Sequence, residues 1–298
     1  NMRKEADDRI PLFRVFFMVL PNDCLFYQIR VSHAVGDGTC YRMLVKQLKD
    51  LVSLEMGETV STPEPDIEWD CFDKYPDGHF DSEEHEKAMK LVKLSGPLTS
   101  LGFAMNALPY LLRPRTTYGV LLMSQEKINK KKKELKSKHT EYLTTNDIVL
   151  AATCQSIMED YEVMTQMVNL REKFGKNVPA RASGTCVREF NFLVAEGADP
   201  NEIHRYSTDG RSVWVPSPVS RKTTLQQRIL RITNWSNVAC ALEPTGTKQI
   251  ASMADPGFVM NSLLNIGVVF RMDDDHVGLV YNLEAVDASK GLMSQIMA

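Results

Sequence analysis

The stretch that most constrains this chain is a strand that must give way to a helix within a few residues. Leu25-Phe26-Tyr27-Gln28-Ile29-Arg30-Val31 is β-rich and alternating, and Tyr41 to Leu54 has helical spacing. Between them lies His33-Ala34-Val35-Gly36-Asp37-Gly38, a histidine with an aspartate four residues on and two glycines that permit a tight turn. Clefts open at the ends of strands, so this junction is the first candidate for a reactive site.

The surrounding chain reads as alternating α and β structure. Leu12 to Leu20 and Cys24 to Ser32 are joined by Pro21-Asn22-Asp23, which predicts an antiparallel hairpin whose second strand delivers His33. Gly57 to Phe80, rich in Pro, Asp and Glu, reads as a surface excursion or crossover loop. Leu98 to Leu112 is apolar but broken by Pro109, the pattern of a core helix ending at proline or of a flap over a pocket. Tyr118 to Met123 is strand-like, and Ser124 offers an N-cap to a helix carrying Gln125 and Glu126 in its first turn. Lys130 to Lys133 lie on that helix, as a solvated face or as an attractor of an anionic group. Thr144-Thr145-Asn146-Asp147 has capping-box spacing ahead of a helix over Ile148 to Met158. Strands are expected at Ile229 to Trp235, Ile266 to Met272 and Val277 to Leu283. Asp273-Asp274-Asp275-His276 is then the turn of a hairpin rather than a metal site, since no further ligands follow at metal-site spacing.

Composition narrows the function classes. The 298 residues, 43% of them hydrophobic, can build a sizeable core in two lobes, and no internal repeat is present. A net charge of −3, without aromatic-interleaved basic patches or a zinc-finger pattern, gives no support to nucleic-acid binding. No run reaches the roughly 18 apolar residues of a membrane helix, so no transmembrane segment is expected, and no secretory pattern opens the chain. The six cysteines lack CxxC spacing and several sit in apolar runs, which predicts reduced, buried thiols and a cytoplasmic location. The chain begins at Asn1 and is in a strand by Pro11 to Leu20, so an upstream segment of the first lobe is expected to be missing.

His33 has the chemistry of a general base, with an imidazole whose pKa lies near neutrality at a strand terminus. Asp37 has two possible jobs. It can orient the imidazole as in a triad, or it can turn away and fix the loop by pairing with an arginine.

Five short segments, taken in order, resemble the chloramphenicol-acetyltransferase-like superfamily of acyltransferases, which includes plant-type BAHD enzymes, wax ester synthases and condensation domains. They are Pro11-Leu12-Phe13-Arg14-Val15; Ser32-His33-Ala34-Val35-Gly36-Asp37-Gly38, similar to the HxxxDG signature; Thr144-Thr145-Asn146-Asp147; Val168-Asn169-Leu170-Arg171; and Ile232-Thr233-Asn234-Trp235. The resemblance covers most of the chain. Three departures stand out. Ala241-Leu242-Glu243-Pro244-Thr245-Gly246 replaces the DFGWG motif of BAHD enzymes, Ser32 stands where condensation domains carry a second histidine, and Gly184-Thr185 stands in place of Gly-Asn.

The resemblance implies an α/β architecture of two similar lobes, each a mixed β-sheet flanked by helices, with an active-site tunnel between them. Residues 1–115 would form part of the N-terminal lobe with a crossover, and 116–298 the C-terminal lobe. His33 would be the general base on an acceptor hydroxyl that attacks a thioester, with Asp37 mainly structural and Gly38 allowing close packing. Thr233, Asn234 and Ser236 are the candidate oxyanion or tunnel residues, and Trp235 is expected to pack. Acyl-CoA would be a co-substrate, with no permanently bound cofactor and no metal. The implied partners are an acyl thioester donor, a small-molecule alcohol acceptor and a second polypeptide completing the first lobe. A carrier-dependent condensation domain and a noncatalytic binding protein are the alternative readings.

Overall fold

A computed structural model describes residues 13–32, 36–59, 119–138, 142–157, 161–169, 171, 187–194, 196–208, 228–236, 248, 250–252, 265–281 and 286–298. His33, most of the Pro-rich stretch, the apolar run at Leu98 to Leu112, and Ala241 to Gly246 lie outside the described residues. The chain divides into two compact units. One comprises Asn1–His79, Asn169–Val187 and Cys240–Lys248, the other Phe80–Val168, Arg188–Ala239 and Gln249–Ala298.

In the first unit, β1 (Phe13–Leu20) and β2 (Cys24–Val31) pair antiparallel from Phe13↔Val31 to Leu20↔Cys24. The expected turn joins them, with Asn22 at φ 61° and Asp23 at φ 55°. Asn and Asp enter this left-handed region more readily than other side chains, which is why this tripeptide can close the hairpin. Helix α1 (Gly38–Glu55) follows, and it starts a turn earlier than periodicity alone suggests because Asp37 caps it. Its other end closes in a Schellman motif. Gly57 sits at φ 78°, its N–H donates to Leu54 O, and the Glu58 N–H donates to Ser53 O.

The second unit is built on a six-stranded mixed sheet. Its strands are β3 (Gly119–Ser124), β4 (Tyr161–Asn169), β5 (Val187–Leu193), β6 (Arg228–Asn234), β7 (Asn265–Arg271) and β8 (His276–Tyr281), in the spatial order β3-β8-β7-β6-β4-β5. β3 and β7 run antiparallel to β8, whereas β6 runs parallel to both β7 and β4. Among the described residues its helices are α2 (Gln125–Leu135), α3 (Thr145–Ser156), α4 (Pro200–Thr208) and α5 (Gly291–Ile296). Parallel neighbours such as β4 and β6 need crossover connections, which makes the unit α/β rather than a meander.

Alternation along the strands sends Leu121, Met123, Ile232, Val269, Val277, Leu279 and Tyr281 to the face that packs on Ile128 of α2, Ile203 of α4 and Leu292 of α5. α3 lies at the centre of this cluster and is buried over Asp147 to Cys154, as befits a helix that is apolar nearly all round. Its two buried hydroxyls are satisfied locally, Thr153 donating to Val149 O and Ser156 to Ala152 O. The opposite sheet face carries a smaller cluster of Val268, Phe270 and Val280, with Trp235 packed against it. Gly278 sits beneath the Phe270 ring, where a Cβ would come within 2.1 Å of Phe270 Cζ.

The acidic run at Asp273 is the hairpin turn between β7 and β8. Asp273 Oδ1 accepts from the backbone N–H groups of Asp275 and His276, and the His276 ring lies 2.9 Å away. Sequence periodicity did not pick out β4, β5, α4 or α5. No described helix is long and apolar enough to cross a membrane.

Candidate active site

Asp37 works at the N-terminus of α1. With extended backbone at φ −92° and ψ −175°, its Oδ1 accepts from Thr39 N at 3.0 Å and Cys40 N at 3.1 Å, satisfying two of the helix's unpaired donors. The same carboxylate is gripped from a distant part of the sequence. Arg171 Nη1 lies 3.0 Å from Oδ1 and 2.8 Å from Oδ2, and the two side chains are only 2% and 3% exposed. Pairing and hydrogen bonding together make it possible to bury both charges.

Arg171 is itself held. Asn169 Oδ1 accepts from Arg171 N at 3.0 Å and from Nη1 at 3.2 Å, while Asn169 Nδ2 donates to Thr39 Oγ1 at 3.0 Å. Two residues of Val168-Asn169-Leu170-Arg171 thus clamp both the cap and the first turn of α1. The arginine that the loop-fixing role of Asp37 calls for is Arg171. The segment that names it was in view in the sequence, but nothing there connects it to Asp37.

The second group of candidates lies at the end of β6, within the second unit, and the three side chains do not converge. Successive strand residues point to opposite faces, so Asn234 shares the helix-covered face with Ile232, and Thr233 takes the other face with Trp235. Thr233 Oγ1 accepts from Trp235 Nε1 at 3.1 Å. Asn234 and Ser236 do meet: Asn234 Oδ1 accepts from Ser236 N at 2.8 Å and from Ser236 Oγ at 2.6 Å.

The Ser236 backbone can only donate, which settles the orientation of the Asn234 amide and, through it, of Asn146. Asn234 turns its oxygen to Ser236 and its Nδ2 to Asn146 Oδ1, at 2.7 Å. The Ser236 hydroxyl proton is spent within this chain. Thr233 Oγ1 is used as an acceptor by the indole, and among the described residues nothing takes its hydrogen.

Asn146 is held in place by the start of α3. Thr144 and Asp147 form the expected capping box, with Asp147 N donating to Thr144 Oγ1 at 3.2 Å and Thr144 N to Asp147 Oδ2 at 2.7 Å. His204 of α4 adds Nδ1 at 2.8 Å from the same Oδ2, with Tyr142 edge-on to its ring. The sequence contained the box but not its histidine partner, which lies 57 positions away.

Within the lysine run on α2, Lys131 pairs with Glu134 at 2.6 Å and Lys132 Nζ donates to Asn129; Lys127, ahead of the run, donates from Nζ to Met297 O. Partial burial lowers the pKa of Lys132 and the charge of Asp147 opposes that shift. Of the three described cysteines, all free thiols, Cys154 is buried beside Met164, and loss of solvent pushes its pKa up, away from thiolate chemistry.

No family model matches the chain, and no curated protein matches it. Solved structures do. Vinorine synthase aligns with a TM-score of 0.58 at 12% identity, over 98% of this chain and 69% of that one. Polyketide synthase associated protein 5 from Mycobacterium tuberculosis gives 0.53 at 12% identity, over 92% and 71%. TRI101 of F. sporotrichioides, solved with coenzyme A and T-2, gives 0.51 at 13% identity, over 97% and 69%. The chain therefore spans about seven-tenths of the length of each, and it has the α/β fold that these proteins share.

Proposed function

We propose that the chain is an acyltransferase that moves an acyl group from a thioester donor, acyl-CoA, to an alcohol acceptor, with His33 as general base. The observation that carries the reading is the buried clamp of Asp37 by Arg171. It ties Asp37 to Arg171 and to the first turn of α1, which supports the loop-fixing role for Asp37 and, with it, the reading of His33 as the base. The fold shared with vinorine synthase and with TRI101, a protein solved with coenzyme A, supports the reaction class.

In the proposed step His33 takes the acceptor O–H proton as the oxygen forms a bond to the thioester carbonyl carbon, and the carbonyl π pair moves onto its oxygen. The tetrahedral intermediate then reforms the carbonyl, the C–S bond breaks, and the departing thiolate takes the proton from the imidazolium.

The test is free-thiol release from acetyl-, benzoyl-, octanoyl- and palmitoyl-CoA with a panel of primary and aromatic alcohols. Release that disappears in His33→Ala is expected. Background release from folded protein across the whole panel would reject the reading.

A further inference from the structure

We propose that this chain pairs with a second copy of itself through one face of the β1–β2 hairpin, the two hairpins lying antiparallel about a two-fold axis. The inference rests on the first unit alone and is independent of the acyl-transfer reading.

The register fixes which side chains share a face, because directly opposed residues project to the same side of the sheet. One face, from Phe13↔Val31 to Val19↔Leu25, is uncharged throughout. The other begins with Arg14↔Arg30, has Phe16, Met18, Leu20 and Phe26 as its apolar middle, and ends at the turn that carries Asp23. Those four apolar side chains stand 39–58% exposed, whereas a sheet is stable when one of its faces is covered.

The charges of this second face are unmatched. Arg14 and Arg30 oppose each other directly, which is destabilising unless a counter-charge is present. Among the described residues no carboxylate pairs with either: Arg14 Nε is shut off from solvent without an acceptor, and the Arg30 guanidinium lies 5.3 Å from the centre of the Phe16 ring. Asp23, exposed in the turn, likewise has no cation among them.

One neighbour answers both kinds of charge. With the axis near Met18, each arginine pair meets the turn of the other copy, and the apolar rows close on one another. A parallel stack would set arginines on arginines. The antiparallel contact uses the same patch on both copies and therefore stops at two. Two such faces, each about 26 Å long, bury on the order of 1,200 Å² in total, the lower end for a specific interface, so association in the micromolar range is expected. The uncharged face has nothing to fix a direction, and Val15, Tyr27, Ile29 and Val31 on it are already half-buried.

Sedimentation velocity of the full chain from about 1 to about 200 μM should show a reversible monomer–dimer equilibrium. Its Kd should rise about three- to tenfold between about 0.05 and about 0.5 M NaCl, as the charged ends are screened. Met18→Glu, at a side chain 58% exposed, should leave the chain folded and raise Kd at least about thirtyfold. Asp23→Lys, and Arg14→Asp with Arg30→Asp, should each be monomeric, and their equimolar mixture should restore the dimer, since every end then joins opposite charges. Asp23→Asn, which suits the left-handed turn at φ 55°, should raise Kd severalfold. A chain monomeric over the whole range, association that strengthens with salt or runs past two copies, or a dimer indifferent to Met18→Glu overturns the inference. So does a mixture of charge variants that stays monomeric while both remain folded by circular dichroism; if either misfolds, a Kd unmoved by Asp23→Asn overturns it instead.

Discussion

Arg171 Nη1 reaches both carboxylate oxygens of Asp37, at 3.0 and 2.8 Å, across 134 positions of sequence and in near-complete burial. A cap residue that would otherwise serve one helix is thereby made to join two distant segments of the first unit.

Arg171→Met should therefore cost more than a surface ion pair would. It takes the guanidinium away from a buried carboxylate, and removing one partner of such a pair typically costs about 3–5 kcal/mol. Urea unfolding should show the loss, and thiol release should fall with it. Adding Asp37→Asn should recover part of the stability, because it removes the stranded charge; a double variant as unstable as the sum of the singles would argue that the pair is not coupled.

The capping box of α3 should behave reciprocally. Thr144→Ala removes the acceptor of Asp147 N and should cost about 1 kcal/mol, whereas Thr144→Ser should be close to neutral. Thermal unfolding checks both. Asp147→Ala should cost more than Thr144→Ala, because the buried contact with His204 is lost along with the box.

Gly278 should not tolerate a side chain while Phe270 covers it. Gly278→Ala places a methyl 2.1 Å from Phe270 Cζ, and relieving that overlap should cost about 1–3 kcal/mol. The same substitution in a Phe270→Leu background should cost less, measured as the difference in denaturation midpoint between paired variants. An unchanged cost would mean the clash is not with this ring.

The β7–β8 turn should contribute to acid stability in a defined window. The hydrogen bond from His276, with the N–H groups of Asp275 and His276, holds Asp273 below its ordinary value of 3.8. A depressed carboxylate stabilises the folded state above its unfolded pKa, and that contribution is lost as pH falls through the lowered, folded value. Wild type should therefore exceed Asp273→Asn in urea midpoint at pH 6, with the gap closing below about pH 4. Because the group is exposed, the gap should be small and should shrink further in salt.

What could be read in the sequence was short-range. Pro21-Asn22-Asp23 makes its turn because Asn and Asp accept positive φ; Ser124 and Thr144 cap their helices because a hydroxyl at that offset reaches a free N–H; and Asp273 closes a hairpin through its own neighbours. Each of these depends on a few consecutive residues. β4 escaped notice because a strand paired parallel in a sheet is defined by its partner, Arg228 to Ile232 of β6, more than by its own periodicity.

The candidate site shows the same boundary. That a strand gives way to a helix around Asp37 was written in the spacing, and so was a strand carrying Thr233 and Asn234. That Arg171 claims Asp37 and that Asn146 fixes the amide of Asn234 were decided only when distant segments packed together. Spacing along a chain reports neighbours within a turn or two, whereas a hydrogen bond between residues 134 positions apart forms when burial brings a donor and an acceptor into reach and excludes the water that would have served them both.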